Sequence, residues 1–559
     1  MAGFDVIVIG AGSAGCAIAG RIAQSGARVL LLEAGGEDRH PLIRMPAGWP
    51  MASAQSRFGW NYVSEPEAQT AGRSLDLPRG RLMGGTSSIN GMMYSRGHAE
   101  DYDAWAAMGL GGWGYADVLP YFRRSERNWR GQDIWHGGDG PVHVSPNRRD
   151  DRLYGLMLAA AKELGFTENG DFNALEQSGF GMPDFTVHRT RRESAATAYL
   201  NLARDGGTIE VWQGASVTRI VVEQGRARGV DILRDGNTEI VHAGEVVLSA
   251  GAFNSPKLLM LSGIGDAANL KSHGIATIAN LPAVGRNLQD HPMVQMAFAV
   301  SRPLGFEARL RLDRLAGAAL AWMARRDGLL NEAPLSIQGY VRRAGGAGRP
   351  DTQFQVSHGS PMSRPWFPGW RSPATDMLGV GVLQLDPTGT GSVMLRSADP
   401  LEPPAIRLNL LSTQQDMQAA RDMMAFTRRF FATSALRDLV SGEVVPGASV
   451  QGAGGKDAYL RQSIVTGAHP ACTCAMGTDP VQSVVDVTLK VHGVEGLRVA
   501  DASIMPRIVR GNTSAPAMMI GEKAADMILG RKTSALPAAT PSPQFASREG
   551  DRQPGRYSA

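Results

Sequence analysis

The first 36 residues constrain the fold most tightly, because they predict a strand, a glycine turn, a helix and a second strand in immediate succession. The apolar run at 4–9 is typical of a buried parallel strand, and a helix of small residues is predicted for 16–24. A second apolar strand at 28–32 leads directly into Glu33. This order predicts an α/β fold, and its first turn has the sequence Gly-Ala-Gly-Ser-Ala-Gly at 10–15.

The turn and the acid together predict a site for an adenine dinucleotide. Gly10 allows the tight turn, Gly12 lets the backbone approach a pyrophosphate, and Gly15 lets the helix pack closely against the strand. The N–H groups and the dipole at the helix N-terminus favour the negative charge of that pyrophosphate. Glu33 would accept a hydrogen bond from the ribose.

Composition excludes several classes of protein. A chain of 559 residues is too long for one ordinary domain, and 43% apolar residues with 68 glycines describe a loop-rich globular protein. The net charge of +4 argues against a nucleic-acid partner. Three cysteines, two of them only two positions apart, predict no disulfide framework, no metal site and a reducing compartment.

The sequence predicts no membrane span and no secretory leader. No apolar run reaches the ~20 residues that a bilayer requires, and the first apolar run belongs to the nucleotide fold. We therefore expect a cytoplasmic protein, either soluble or peripheral to the inner membrane. The Pro-, Ser- and Ala-rich residues 533–559 are typical of a disordered tail.

Further along the chain, the patterns predict two kinds of sheet. Strands at 217–223, 244–249 and 496–499, with a helix at 517–529 that has Glu522 and Lys523 on its polar face, suggest a parallel sheet built from three separated segments. Alternating residues at 352–357 and 392–396 indicate antiparallel strands that could cover a substrate pocket. An amphipathic helix at 308–326 indicates a surface helix packed by one face, or a contact with a membrane or partner.

Four motifs in order resemble those of the glucose–methanol–choline (GMC) oxidoreductases. Beside the N-terminal glycines, they are Gly-Arg-Leu-Met-Gly-Gly-Thr-Ser-Ser-Ile-Asn-Gly-Met at 80–92, Gly-Ala-Phe-Asn-Ser-Pro at 251–256 continuing to 265, and a C-terminal region with His-Pro at 469–470 and Gly-Asn-Thr at 511–513. The resemblance covers residues 4–530. Within the family, the chain looks closest to bacterial choline-dehydrogenase-like and FAD-dependent alcohol dehydrogenases.

The resemblance implies an FAD-binding Rossmann-like domain of discontinuous segments and a substrate domain with an antiparallel sheet. We assign 1–147, 193–293 and 462–532 to the first, and 148–192 and 294–461 to the second. Some family members bind FAD covalently through a histidine at the position that Ile89 has here, so the flavin is expected to be non-covalent. The FAD-binding positions of the family correspond to Gly10, Gly12, Ser13, Gly15, Glu33, Ala34, Arg81, Gly84, Gly85, Thr86, Asn90, Gly91, Met92, Val217, Ala250, Gly251, Asp501, Ala502, Asn512 and Thr513.

The implied reaction is the oxidation of a primary alcohol to an aldehyde. His469 matches the active-site histidine and has a suitable pKa to take the hydroxyl proton, while Asn512 matches the partner that holds the substrate oxygen. Electrons would pass to a quinone or another acceptor. An oxidase of the same fold that uses oxygen, and a flavin-retaining lyase or decarboxylase, remain alternatives.

Several other residues have competing interpretations. His291 is interpreted as structural, and His358 as a residue that could line the pocket; Cys472 and Cys474 are interpreted as small packing residues. Cys472 stands where the family usually has glycine, which leaves the local backbone open. Choline would need a carboxylate or an aromatic cage that 301–460 does not reveal. The aromatic residues that could instead bind an aromatic or long-chain alcohol are Trp60, Trp366, Phe367 and Trp370.

Overall fold

The computed structural model describes residues 3–147, 151–205, 208–324, 328–333, 335–343, 348–359 and 363–531. Two large sheets organise these residues, and smaller ones connect them. The α-helices of this part of the chain are Ser13–Ala23, Pro41–Arg44, Trp49–Ser53, Ala99–Ala107, Tyr115–Ser125, Asp151–Glu163, Ala195–Tyr199, Gly251–Leu261, Ala267–Ser272, Phe306–Arg309, Leu312–Met323, Gln414–Phe431, Gly452–Ser463 and Ser514–Ile528.

The first sheet contains the glycine turn and is assembled from separated segments, as predicted. Phe4–Ile9 lies parallel to Arg28–Glu33 on one side and to Asn237–Leu248 on the other. Leu497–Val499, from near the C-terminus, pairs in parallel with Asn237–Leu248. The strand order across the sheet is Thr208–Gln213, Arg28–Glu33, Phe4–Ile9, Asn237–Leu248, Arg226–Arg234 and Ser216–Glu223.

The prediction that all of these strands are parallel is wrong for one edge of the sheet. Ser216–Glu223, Arg226–Arg234 and Asn237–Leu248 form an antiparallel meander. Only Gln224 and Gly225 join the first two strands, and both have positive φ. A two-residue turn of this kind makes a hairpin, whereas a parallel connection would need a crossover of a dozen or more residues.

The C-terminal helix Ser514–Ile528 packs tightly on the helix that follows the glycine turn. A Cβ on Gly521 would lie 2.5 Å from the carbonyl oxygen of Ala14, so the close approach requires glycine. The prediction that Glu522 and Lys523 form a polar face of this helix is wrong, because both residues are buried. Glu522 pairs with Arg21 and Arg124 at 2.9 and 2.7 Å, and the Lys523 ammonium lies over the rings of Trp113 and Tyr121.

The second sheet is antiparallel and covers the cavity described below. In order across the sheet, its strands are Val440–Val445, Pro292–Val300, Met377–Gln384, Thr352–Ser357, Leu335–Val341 and Gly179–Gly181, and Val465–Thr466 also pairs with Pro292–Val300. Helix Gln414–Phe431 packs on the sheet and buries Phe426 and Phe430 against Phe354. Ser392–Met394, predicted as a similar strand, instead pairs with Ala405–Arg407 in a separate two-stranded sheet.

The smaller sheets are short and local. Their strands are Tyr62–Val63 with Asp76–Leu77; Met93–Tyr94, Asp184–Phe185, Val142–Pro146 and Glu126–Asn128; Val187–His188 with Arg191–Arg192; and Ile264–Gly265 with Ala279–Asn280. The domain boundaries predicted from the sequence stay predictions.

The amphipathic helix predicted for 308–326 is divided into Phe306–Arg309 and Leu312–Met323, and residues 325–327 lie outside the described residues. Trp322 is buried, while Leu320 and Met323 are 65% and 59% exposed. Contact with a membrane or partner through this helix stays a prediction. None of the described helices combines the length and apolar character needed to cross a bilayer. The predicted disordered tail, 533–559, also lies outside the described residues.

Candidate active site

The acid at the end of the second strand is fixed by the glycine turn. The two carboxylate oxygens of Glu33 accept hydrogen bonds from the N–H of Ala11 at 3.0 Å and of Gly35 at 2.8 Å. Burial raises the pKa of Glu33 to about 7, although both N–H groups favour the carboxylate. Each oxygen keeps a lone pair that a ribose hydroxyl can use.

Two glycine loops meet in front of this acid. Gly12 caps helix Ser13–Ala23 without a side-chain hydrogen bond, which leaves the first N–H groups of the helix directed into the cavity. A Cβ on Gly12 would meet no protein atom within 4 Å, whereas one on Gly85 would lie 2.8 Å from the Gly12 Cα. The space beside Gly12 therefore belongs to the cavity, and the donors around it suit a pyrophosphate.

A third loop, from the C-terminal segment, closes this end of the cavity. One carboxylate oxygen of Asp501 accepts hydrogen bonds from the N–H of Gly251 and the hydroxyl of Ser255, and the other accepts one from the N–H of Ser503. Asp501 thus joins helix Gly251–Leu261 to the turn after Leu497–Val499. Its lone pairs are largely used by these bonds, so it holds the two loops together.

These loops surround one end of a cavity of about 950 Å³, at the upper end of the range for ligand sites. Of the predicted site residues, Gly15 and Gly84 do not line it. A Cβ on Gly15 would lie 1.9 Å from the carbonyl oxygen of Gly10, so this glycine serves helix packing. Gly84 has a φ of +82° and makes a turn. The predicted residues that line the cavity are Gly10, Gly12, Ser13, Glu33, Ala34, Arg81, Gly85, Thr86, Asn90, Gly91, Met92, Val217, Ala250, Gly251, His469, Asp501, Ala502, Asn512 and Thr513.

At the other end of the cavity, the predicted catalytic pair is in contact. The Nε2 of His469 lies 2.9 Å from the side-chain nitrogen of Asn512. The side-chain oxygen of Asn512 accepts a hydrogen bond from the amide of Gln353, a residue of the second sheet, at 3.1 Å. Because that oxygen is occupied, the Asn512 amide presents an N–H to His469, and Nε2 of His469 carries a lone pair.

His291, interpreted from the sequence as structural, lies directly behind this base. Its Nδ1 is 3.1 Å from Nδ1 of His469, so His469 donates the proton that its own Nδ1 carries. Asp290 holds the same turn by accepting a hydrogen bond from the His469 N–H at 2.8 Å. The sequence signal that could have revealed this arrangement is Asp-His-Pro at 290–292, immediately before a strand of the second sheet.

Burial controls the electrostatics of the pair. Desolvation, with smaller effects from His291 and Arg79, holds the pKa of His469 well below its ordinary value. Desolvation also lowers the pKa of His291 to about 3. Both rings are therefore neutral near pH 7, and His469 is ready to accept a proton there.

Comparisons with known proteins identify the family of the chain. Models of the GMC oxidoreductase N- and C-terminal domains match residues 4–293 and 387–521. The chain belongs to the GMC oxidoreductase family. Oxygen-dependent choline dehydrogenases of Rhizobium johnstonii and Sinorhizobium medicae are 42% identical to it, over 94% of this chain and 96% of each relative.

Solved structures of family relatives share the fold. A pyridoxine 4-oxidase from Mesorbium loti is 29% identical with a TM-score of 0.84, over 95% of this chain and 100% of that one. A variant formate oxidase from Aspergillus oryzae is 28% identical with a TM-score of 0.87, over 95% and 98% of the two chains. The predicted GMC fold is confirmed, and so is FAD as the cofactor.

The backbone at Cys472 adopts a conformation that favours glycine, the residue expected at this position from the family resemblance. Cys472 has a φ of +76° and is fully buried, so a position suited to glycine carries a side chain in the left-handed region. Cys474 is buried as well, and desolvation raises the pKa of both thiols. These surroundings fit the predicted packing role.

The wall of this GMC cavity also contains an apolar cluster. Its members that line the cavity are Trp49, Met92, Met93, Phe185, Ala333 and Leu335, and the polar side chains of Gln295, Gln355 and Ser357 line the cavity as well. Of the aromatic residues proposed from the sequence to bind an alcohol, Trp60 lines the cavity, but Trp366, Phe367 and Trp370 do not. His358 does not line it either; its Nδ1 lies 2.9 Å from the hydroxyl of Ser336.

Proposed function

We propose that this GMC oxidoreductase oxidises a primary alcohol to an aldehyde and passes the electrons to a quinone or another acceptor. The observation that carries the proposal is the pair formed by the His469 lone pair and the Asn512 N–H, 2.9 Å apart at the apolar end of the cavity. Bound FAD supplies the acceptor for the two electrons and the hydrogen that leave the carbinol carbon.

The two side chains have complementary roles toward one hydroxyl group. The alcohol donates its O–H to Nε2 of His469, and its oxygen accepts a hydrogen bond from the Asn512 amide. As the carbinol hydrogen leaves, charge develops on the oxygen, and His469 relieves that charge by taking the proton. Asn512, oriented by Gln353, holds the oxygen so that the carbon keeps one orientation.

The cofactor would be held without a covalent bond. The free N–H groups after Gly12 suit its pyrophosphate, Glu33 suits the adenosine ribose, and the loop of Asn90 would lie near the flavin ring. Ile89 is packed among apolar side chains and offers no nucleophile. All three cysteines are buried free thiols, which supports a reducing compartment such as the cytoplasm.

The substrate we propose is an uncharged alcohol with an apolar substituent. Among the described residues that line the cavity, the carboxylates are Glu33 and Asp501, and both are bound to backbone N–H groups at the dinucleotide end. The apolar cluster in the cavity wall supplies thioether, aromatic and aliphatic groups, and the Gln295 and Gln355 side chains that also line the cavity are neutral amides. Such a wall stabilises apolar surface but offers no carboxylate for a cation.

Choline is the second candidate, because curated relatives at 42% identity are choline dehydrogenases. The aromatic faces of Trp49 and Phe185 line the same end and could attract a quaternary ammonium group. The two candidates are distinguished by the charge beside the carbinol.

The decisive experiment follows flavin absorbance while the purified enzyme is mixed anaerobically with choline or with 3,3-dimethylbutan-1-ol, its neutral carbon isostere. Faster bleaching by the isostere, and by octanol or benzyl alcohol, supports an apolar pocket. Faster bleaching by choline supports the second candidate. Asn512→Ala should slow bleaching with either alcohol, by about 100- to 1000-fold if it acts like an oxyanion donor.

The same absorbance measurement also distinguishes an oxidase, a dehydrogenase and a flavin-retaining lyase or decarboxylase. Rapid return of colour on admission of air would indicate an oxidase, and slow return that a quinone accelerates would indicate a dehydrogenase. If no alcohol bleaches the bound flavin, alcohol oxidation is refuted and a lyase or decarboxylase becomes the better proposal.

A further inference from the structure

A second group of side chains, outside the cavity, has the composition of a transition-metal site. His143 lies in strand Val142–Pro146, His188 ends strand Val187–His188, and Glu193 follows strand Arg191–Arg192. One ligand atom from each lies within 4.8 Å of the other two, and each residue is half-buried. None of the three lines the flavin cavity.

An ion pair alone does not account for this group. The Nδ1 of His143 is 2.6 Å from a carboxylate oxygen of Glu193, which satisfies those two residues. The ring of His188 nevertheless lies with its centroid 3.6 Å from that of His143, at an angle of 35°. Ligand atoms of two imidazoles and a carboxylate therefore lie within 4.8 Å of one another, brought together from one strand and one hairpin.

The backbone that presents these side chains is fixed. In the hairpin, Val187 pairs with Arg192 and His188 with Arg191. The hydroxyl of Ser145 donates a hydrogen bond to the Val187 carbonyl, which ties the hairpin to the strand of His143. The N–H of Glu193 donates to the Thr186 carbonyl. A ligand bound here would order few additional groups, which lowers the cost of binding.

We propose that His143, His188 and Glu193 bind a divalent transition-metal ion of the Zn²⁺ class, with water as the fourth ligand. Imidazole and carboxylate together suit Zn²⁺, Co²⁺, Ni²⁺ or Cu²⁺, whereas Mg²⁺ and Ca²⁺ prefer oxygen ligands. Zinc bonds of about 2.0–2.1 Å place tetrahedral ligand atoms about 3.4 Å apart, so side-chain rotations of the order of 1 Å complete the site. Binding replaces the hydrogen bond between His143 and Glu193, and the imidazole proton of His143 moves to Nε2 when Nδ1 takes the metal.

The site would also stabilise the loop at the flavin cavity. Arg192, next to Glu193, is buried and donates hydrogen bonds to the Asn90 side chain at 2.8 Å and to the Ser87 carbonyl at 3.2 Å. A metal that holds His188 and Glu193 together fixes the hairpin that carries Arg192. The positive charges of Arg127 and Arg189 lie close enough to act on His188, and they oppose the binding of a cation.

The test uses untagged, chelator-treated holoenzyme and Zn²⁺ in competition with a chromophoric chelator. We expect one equivalent to bind, and His188→Ala or Glu193→Gln to weaken binding at least about tenfold, since loss of even an outer partner of a metal ligand costs 10- to 100-fold. His242→Ala is the matched control, because His242 is exposed and away from the cluster; it should bind Zn²⁺ like the wild type.

A second measurement guards against a folding defect in the variants. Co²⁺ bound by the wild type should give the visible absorption of a tetrahedral site, and Zn²⁺ should abolish it. Zn²⁺ should also raise the melting temperature of the wild-type holoenzyme but not that of the Glu193→Gln variant. Binding of no equivalent, or equal Zn²⁺ affinity in the wild type and both variants, would overturn the proposal whatever the alcohol substrate is.

Discussion

His291, the buried histidine behind the proposed base His469, should make the protein sensitive to acid. The pKa of His291 is about 3 in the folded protein, because burial penalises the charged ring, and about 6.5 in an unfolded chain. Between these values the unfolded state binds more protons than the folded state, so the free energy of unfolding falls as the pH falls. At pH 5 the loss is about 2 kcal/mol, from 1.5 pH units at 1.36 kcal/mol each.

The substitution His291→Asn isolates this contribution. Asn does not titrate, and its side-chain oxygen can still accept the hydrogen bond from His469. We expect the free energy of unfolding of the wild type to fall by about 2 kcal/mol more than that of the variant between pH 7.5 and pH 5. The carboxylates titrate in both proteins, so their effects cancel in the difference, and burial, the largest cause of the low pKa of His469, is also common to both.

The assay is urea unfolding of the FAD-saturated enzyme at pH 7.5, 6 and 5, followed by circular dichroism and flavin fluorescence. His242→Asn, at an exposed position, is the control and should retain the pH dependence of the wild type. If His291→Asn also retains the full wild-type dependence, then His291 is not held neutral by burial, and the assignment of protons in the His469–His291 pair is wrong.

Three further substitutions test the site. His469→Ala should slow flavin reduction by an alcohol about 100- to 10,000-fold in stopped-flow absorbance, while flavin binding persists; an unchanged rate would exclude His469 as the base. Gln353→Leu removes the hydrogen bond that orients Asn512, so kcat should fall about fivefold, equivalent to about 1 kcal/mol, with little change in flavin content. Cys472→Gly should be at least as stable as Cys472→Ala in urea, because φ there is +76°; at an ordinary φ, glycine would be about 0.5–1 kcal/mol less stable.

The parts of the site that depend on local sequence could be predicted. The glycine turn and Glu33 lie within 36 residues, in a strand, turn, helix and strand that follow one another directly. The hydrogen bonds from the N–H groups of Ala11 and Gly35 to Glu33 agree with that local order. His469 and Asn512 were identified by resemblance, and the structure brings them together. Their roles in binding and catalysis stay predictions until the experiments above are made.

The contacts that the sequence did not reveal join distant segments. His291 and His469 are 178 positions apart, and nothing in either segment specifies the partner. The prediction that Glu522 is exposed was wrong for the same reason. Helical periodicity places a charged residue toward water, but Arg21 and Arg124, which belong to other elements, form ion pairs with Glu522 in the interior. The apolar wall of Trp49 and Phe185 likewise has no local pattern, because it is built from a short helix and a short strand.

The catalytic pair depends on both sheets at once, and this is the main consequence of the fold for function. Asp290, which precedes a strand of the second sheet, holds the backbone of His469. Asn512 precedes the C-terminal helix, which packs on the helix that follows the glycine turn of the first sheet, and Gln353 of the second sheet accounts for the orientation of its amide. The distance of 2.9 Å between Nε2 of His469 and the side-chain nitrogen of Asn512 therefore depends on how the two sheets are positioned relative to each other. In the proposed reaction the carbinol oxygen reaches both nitrogens, so a shift of even 1 Å between the sheets would separate proton removal from substrate orientation.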